Sequence, residues 1–400
     1  MMPRALSERR DSPALTWAEV DLMALAHNYR ELRRITSPTA KIMAVVKADG
    51  YGHGAAQVAR TAVTNGARFL AVARMDEAIQ LRKAGINDPI LLFGYSLPTY
   101  VETLASLNIW ASLTSLDNAR TLSAEAVRCN KTVCAHIKVD TGMGRLGVLA
   151  DEIALSDKAG AQQDRAVDTI QAIRSLPNLK VEGIFTHFAN ADSLDKTHAQ
   201  GQLALFTNLL DTLKQRSAAF KYRHAANSAA TIGMPDAHLD LVRPGISQYG
   251  LWPSPEVNRS LIHLKPVMAI KSRIIQVKDV GPGFKVSYGS THSTAGRTRI
   301  ATIPIGYADG YDRILSSQGQ MLVRGKRASI IGRVCMDLTM LDVGHIPEAA
   351  LDDEVVILGS QGSETISADE IAERVGSINY EIVSSLTSRV PKVYTGGAQP

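Results

Sequence analysis

Residues 41–55 read KIMAVVKADGYGHGA. Ile42 to Val46 form an apolar run of the length and composition of a buried strand, and a single charged amine, Lys47, closes it. A lysine held at the end of a buried strand is costly in its charged form, because burial favours the neutral amine. The same desolvation suits the amine to form a Schiff base with a carbonyl compound. The competing reading is a lysine whose stem follows the apolar surface and whose head reaches water. The loop that follows carries Tyr51 and the spaced Gly50, Gly52 and Gly54, which offer a hydroxyl and close backbone approach to an anion.

Outward from this stretch, short apolar runs alternate with amphipathic segments. The runs 42–46, 69–73, 90–93, 109–113, 133–139, 181–186, 222–226 and 239–242 read as strands. Ala55–Val63 and Asp76–Lys83 read as helices between them, the second stopped by Gly85. Strand–helix alternation implies a parallel sheet with right-handed crossovers. Eight such units closing on themselves make a (β/α)8 TIM-type barrel, with reactive residues at the C-terminal ends of the strands. A doubly wound open sheet is the rival, but no G-x-G-x-x-G follows the first strand. The barrel is expected over residues 15–255.

Trp252-Pro253-Ser254-Pro255 reads as a linker, since proline fixes φ and removes a donor. Beyond it, runs at 267–277, 284–288, 299–305, 328–335 and 354–358 are separated by turns such as Gly281-Pro282-Gly283. Residues 256–400 are therefore expected to form a mainly antiparallel β domain. One helix is expected near Ser367–Val375, where Ser367 and Glu370 have the spacing of a capping box.

At 400 residues, two domains are the natural division. The 44 basic and 39 acidic residues are interspersed, so the net charge of +5 does not describe a nucleic-acid surface. Cys129, Cys134 and Cys335 fit no metal spacing and suit a reducing compartment. Arg4, Arg9 and Arg10 precede no apolar segment of a signal peptide, and no apolar run has the length to cross a bilayer. A cytoplasmic protein with neither membrane nor nucleic acid as partner is expected.

The expected strand ends gather chemistry. His136-Ile137-Lys138-Val139-Asp140 runs into Thr141-Gly142-Met143-Gly144-Arg145. Thr186-His187 ends the sixth strand, Asn227-Ser228 follows the seventh, and Arg243-Pro244-Gly245-Ile246 ends the eighth. Turn or helix starts after Ser228 and Gly245 would present the N–H groups that hold a phosphate.

With residues 41–54, KVDTGMGRLG (138–147), RPGI (243–246), VSYGST (286–291), GYADGY (306–311), GRVCMD (332–337) and INYE (378–381) in this order, the chain resembles the alanine racemase family from about Thr16 to about Val393. The resemblance implies a pyridoxal 5'-phosphate enzyme of fold type III that interconverts L-alanine and D-alanine, built as a homodimer with shared active sites. Lys47 would carry the cofactor as a Schiff base and serve as one of two bases. Tyr288, reaching in from the second subunit, would be the other. Two bases are needed because the proton leaves one face of the α-carbon and returns to the other. Tyrosine, with an ordinary pKa near 10, needs neighbours that lower it, and the resemblance points to His187 and Arg145.

By the same resemblance Arg243 would face the pyridine nitrogen. A permanently protonated guanidinium does not hand that nitrogen a proton, so the ring is a weaker electron sink and transamination is suppressed. Tyr51, Ser228, Tyr380 and the N–H groups of Gly245 and Ile246 would hold the phosphate. Arg145 and the N–H of Met336, again from the second subunit, would hold the substrate carboxylate. Tyr307, Arg313, Arg333 and Ile378 match an entry corridor, in which the arginines draw in anions. Tyr380 and Tyr288 would narrow the pocket to a methyl side chain. Lys138 matches a position carbamylated in some members, where the added carboxylate orients Arg145. Asp49 and His53 read as loop-forming, and Cys335 as packing.

Three rivals remain: a serine or broad-spectrum racemase on the same fold, a decarboxylase of the same fold type, and a non-catalytic carrier of the cofactor. The crowding Tyr380 argues against the first. Arg243, standing where an acidic ring partner is expected, argues against the second. The third leaves Tyr288 without a purpose.

Overall fold

The computed structural model describes residues 14–150 and 160–396. Two compact units result, one spanning Ala24–Pro266 and the other taking Val267 onward together with the segment before Ala24. The basic opening segment with Arg4, Arg9 and Arg10 lies outside the described residues.

In chain order the principal strands are β1 (Thr16–Asp21), β2 (Lys41–Val45), β3 (Ala67–Val72), β4 (Ile90–Tyr95), β5 (Ile109–Leu113), β6 (Val133–Asp140), β7 (Leu179–Phe185), β8 (Tyr222–His224) and β9 (Leu241–Val242). Strands β2 to β9 make the first unit, a parallel sheet in the order β9-β2-β3-β4-β5-β6-β7-β8, the nearly closed ring of a barrel. Ile42, Met43 and Ala44 in β2, and all of β5, are buried. A parallel strand covered on both faces reads as a continuous apolar run, and this is why these strands were legible. Helices Ala55–Thr64 and Met75–Lys83 fall where their periodicity places them.

The second unit continues with β10 (Met268–Arg273), β11 (Gln276–Val280), β12 (Thr298–Ile303), β13 (Gln320–Val323), β14 (Lys326–Ile330), β15 (Thr339–Asp342), β16 (Glu354–Gln361) and β17 (Lys392–Thr395). Its order is β11-β12-β15-β14-β13-β16-β10-β1-β17, antiparallel except for the β1–β17 pair. β10 alternates buried and half-buried residues, the period of an antiparallel strand with one face in the core. Helix Ala368–Val375 starts at Ser367, whose hydroxyl accepts from the Glu370 N–H at 3.0 Å. The Glu370 carboxylate does not close the expected capping box; it pairs with Arg327 at 2.7 Å and Arg374 at 3.0 Å.

The division differs from the expected 15–255 and 256–400 at both ends. β1 lies between β10 and β17 in the sheet unit, because its hydrogen-bonding partners come from the far end of the chain. Residues 252–265 are no free linker: Val257 and Ile262 are buried, the Ser254 hydroxyl donates to Asp192 O at 2.9 Å, and Asn28 Nδ2 donates to Lys265 O at 2.8 Å. Gly250 lets this segment return, since a Cβ there would stand 1.8 Å from Lys265 O. Among the described residues, no helix is long and apolar enough to cross a membrane.

Candidate active site

β2 delivers Lys47 into an unusual turn. Ala48, Asp49, Gly50 and Tyr51 all have left-handed φ, at 50°, 50°, 62° and 53°. Left-handed backbone costs a non-glycine residue about 1–2 kcal/mol, so the turn needs external restraint. Glu77 supplies much of it. One of its carboxylate oxygens accepts from the Ala48 N–H at 2.5 Å, and the other from the N–H groups of Ala73 at 2.8 Å and Arg74 at 2.9 Å. Asp49 accepts from the Ala55 N–H at 2.9 Å, so its loop-forming role holds. The carbonyl of Val45 is held by Gln248 Nε2 at 2.5 Å and the Tyr249 hydroxyl at 3.0 Å.

Around Lys47 the barrel mouth is cationic. Burial, then Arg145, lowers the pKa of the Lys47 amine, with Glu77 acting the other way. Burial, then Arg243 and Arg145, brings Lys138 down to about 7. His187 is driven well below its ordinary value by burial and by Arg243, Lys138, Arg145 and Lys47, so it is neutral at pH 7. Lys47, Lys138, Arg145, His187 and Arg243 thus share one electrostatic neighbourhood. Asp140 does not pair with Lys138. Its carboxylate accepts from the N–H groups of Gly142, Met143, Gly144 and Arg145 at 2.8–3.1 Å, fixing the loop that carries Arg145.

Arg243 is buried, and burial lowers its pKa to about 9, which leaves it charged at neutral pH. Its Nη2 donates to Thr186 O at 2.7 Å and Ala225 O at 2.8 Å, and lies 3.4 Å from His187 Nδ1. Asp240, three residues before Arg243 in the chain, is forked by Arg223 at 2.7 and 3.0 Å.

A second cluster suits an anion. A Cβ on Gly245 would stand 2.7 Å from the Tyr51 hydroxyl and 3.9 Å from Ser228 Oγ, so glycine keeps a cradle open there. Ser228 Oγ accepts from Gly245 N at 2.8 Å, Ser247 Oγ at 3.0 Å and Ser247 N at 3.3 Å, which directs its own proton away from them. The Gly245 N–H is therefore turned to Ser228. Ile246 opens the turn Ile246–Tyr249, where a first N–H has no partner within its own helix.

In the sheet unit three loops meet. Tyr288 begins the turn Tyr288–Ser290 and is 71% exposed. The Ser287 hydroxyl donates to Arg333 O at 2.6 Å, and a Cβ on Gly289 would lie 3.3 Å from the Arg333 guanidinium. Tyr307 N donates to Cys335 O at 3.1 Å, and Ala308 N to Met336 O at 3.0 Å. Tyr288, Tyr307, Arg333 and Met336 therefore sit on mutually braced loops, and the side chains of Tyr288, Tyr307 and Met336 are exposed. Tyr307 and Arg313 also line a cavity of about 430 Å³ with Glu381 and Ile382. Ile378 is exposed and Tyr380 half-buried at the start of helix Asn379–Ser384.

Glu77 and His224 were not singled out from the sequence. Glu77 sits in an ordinary helical first turn, and only the fold brings it under Lys47.

A parallel barrel whose first strand ends in a desolvated lysine, followed by a separate antiparallel sheet, defines a class of barrel-plus-sheet enzymes. Two family profiles match the chain, "Alanine racemase, N-terminal domain" over residues 20–253 and "Alanine racemase, C-terminal domain" over residues 267–394. An alanine racemase of Desulfosudis oleivorans is 50% identical over 382 residues, covering 96% of this chain and 97% of that protein. A solved alanine racemase of Clostridium difficile superposes with a TM-score of 0.89 at 35% identity, over 96% of this chain and 97% of that one. The Bacillus anthracis alanine racemase with bound L-Ala-P gives 0.87 at 36% identity, over 96% of each chain. The chain belongs to the alanine racemase family.

Proposed function

We propose that this protein interconverts L- and D-alanine with pyridoxal 5'-phosphate, in a homodimer whose sites draw on both chains. The observation that carries the proposal is the set of four cations, Lys47, Lys138, Arg145 and Arg243, that acts on one neutral imidazole, His187. Such a mouth is built for an anionic cofactor and a substrate carboxylate.

The residues present fit the cofactor. The opening at Gly245, the Tyr51 hydroxyl, the outward proton of Ser228 and the Ile246 N–H form a donor set for a phosphate; Tyr380 joins it by family resemblance. Lys47 would anchor the cofactor through its aldehyde, and Arg243 would be the partner of its ring nitrogen. When bound, the cofactor acidifies the substrate's α-hydrogen. Lys47 moves the proton on one face of the α-carbon. The partner's Tyr288 moves it on the other, with its phenol tuned through Arg145 and His187. Arg145 holds the substrate carboxylate together with the partner's Met336. Lys138, brought to a pKa of about 7, has a neutral fraction at pH 7 that is able to add carbon dioxide and so to present a carboxylate to Arg145. Tyr307, Arg313, Arg333 and Ile378 line the approach. An interior, reducing location suits the free cysteines.

The test is direct. Loaded with pyridoxal 5'-phosphate, the protein should racemise L-alanine, and borohydride should fix the cofactor on Lys47 in a peptide map. Label on another lysine, or L-serine turned over faster than alanine, counts against the reading.

A further inference from the structure

Behind Arg243 lies a chain of two imidazoles. Arg243 Nη1 stands 2.9 Å from His224 Nδ1, and His224 Nε2 stands 2.8 Å from His136 Nδ1. All three side chains are buried. A guanidinium only donates, so His224 Nδ1 must accept. Burial and Arg243 push the pKa of both imidazoles far down, so each is neutral and carries one N–H. His224 therefore keeps its proton on Nε2 and gives it to His136 Nδ1, which leaves the proton of His136 on Nε2. The His224 ring is thus constrained from both sides, by a donor at Nδ1 and by an acceptor at Nε2.

The fold makes room for this arrangement. A Cβ on Gly183 of β7 would come within 2.7 Å of the His136 ring, so only glycine admits that ring at this point. Among the described residues His136 Nε2 finds no hydrogen-bond partner, and the ring lies among Trp110 and Tyr222, with centroids at 5.3 and 6.0 Å. A buried N–H without an acceptor costs about 1–3 kcal/mol. A leucine of similar volume would avoid that cost. The histidine's Nδ1 lone pair is what an apolar residue lacks.

We propose that His136 is a positioning residue: by accepting from His224 it holds that ring in the one tautomer that steadies Arg243 against the cofactor's ring nitrogen. The inference rests on the reading of Arg243 given above. With the opposite tautomer, His224 Nδ1–H would face the Arg243 N–H, two donors would meet, and the guanidinium would swing off. A loosened Arg243 exposes the ring nitrogen to protonation. The ring then draws more electron density, and the returning proton goes to the cofactor's carbon instead of the substrate's. The product of that error is pyruvate plus pyridoxamine phosphate, formed from alanine and pyridoxal phosphate with atoms in balance.

The experiment uses the cofactor-loaded protein and two variants, His136→Leu and His136→Asn, the second keeping an acceptor close to the position of Nδ1. Two quantities are read: pyruvate formed per alanine racemised, and the protonated nitrogen of His224 by 15N–1H correlation. The ratio should rise about tenfold or more in His136→Leu and stay within about threefold of wild type in His136→Asn, a difference on the order of 1 kcal/mol in barrier. In the wild type the proton should sit on His224 Nε2. An unchanged ratio in folded His136→Leu, an equal rise in His136→Asn, or a His224 proton on Nδ1 overturns the inference. Should His136→Leu not fold, His136→Asn and the wild-type spectrum decide. A wild type that does not racemise alanine defeats the proposed function instead, and the spectrum still decides the tautomer.

Discussion

Lys138 illustrates how a single side chain acquires a property its neighbours in sequence do not confer. Burial and two arginines bring its pKa to about 7, from the ordinary lysine value. The unfolded chain then holds one more proton than the folded one from about pH 7 up to the ordinary value, so for this group stability rises with pH across that window and is flat below it. In buffer free of carbon dioxide, the wild-type urea midpoint should climb between about pH 7 and about pH 9 relative to Lys138→Met, which lacks the group. Parallel curves for the two proteins would show that Lys138 is not desolvated. Tyr288 carries a sharper expectation. Tyr288→Phe should lose about 10²–10⁴-fold in racemisation, equally in both directions, since mirror-image substrates have an equilibrium constant of one. It should still exchange the α-hydrogen of one enantiomer with solvent through Lys47, which proton NMR in deuterated water reads. Loss of exchange from both enantiomers would place the tyrosine in a different role. Both residues were legible as candidates because they sit in quotable motifs. The pKa of Lys138 was not, because it is set first by burial in the folded barrel and then by arginines that include Arg243, more than a hundred positions away.

The turn after β2 is the element on which the lysine depends. Four consecutive left-handed residues are not a conformation a short peptide holds, and Glu77 braces them from the next helix but one. Glu77→Ala removes the acceptor of three backbone N–H groups, and a cost of about 1–3 kcal/mol in urea unfolding is expected for leaving such donors unmet. It should also slow the reaction of Lys47 with pyridoxal phosphate, followed by absorbance. Glu77→Gln, which keeps one accepting oxygen, should fall between. Full stability in Glu77→Ala would mean that the turn stands without the brace. The spaced glycines looked like an approach for an anion. Gly50, Gly52 and Gly54 all have positive φ and build the turn; the proposed phosphate cradle is at Gly245. Glycine spacing reports that the backbone bends or is approached closely, and leaves open which of the two.

For the whole molecule the decisive feature is that Tyr288, Met336 and Tyr307 lie exposed on braced loops. A rigid, exposed, partly apolar surface of this kind is the mark of an interaction site. In a two-fold pair each chain would complete the other's barrel mouth, and a single interface would serve both sites. Turnover per chain should therefore fall on dilution below the dimer's dissociation constant and recover on concentration. Turnover that is constant through the dissociation seen by light scattering would mean that one chain suffices.

The barrel strands could be read directly because parallel strands buried on both faces are unbroken apolar runs, and Lys47, His187 and Arg243 because they stand where those runs stop. β13 and β15 went unmarked, being four residues each and only partly apolar. Membership of β1 was beyond reading as well, since its partners are β10 and β17 and a strand does not encode the identity of the edge it joins. Local order follows from the chain's own periodicity. Which carboxylate braces the lysine, and which imidazole backs the arginine, depends on side chains far apart in sequence being packed together, and only the folded arrangement supplies that.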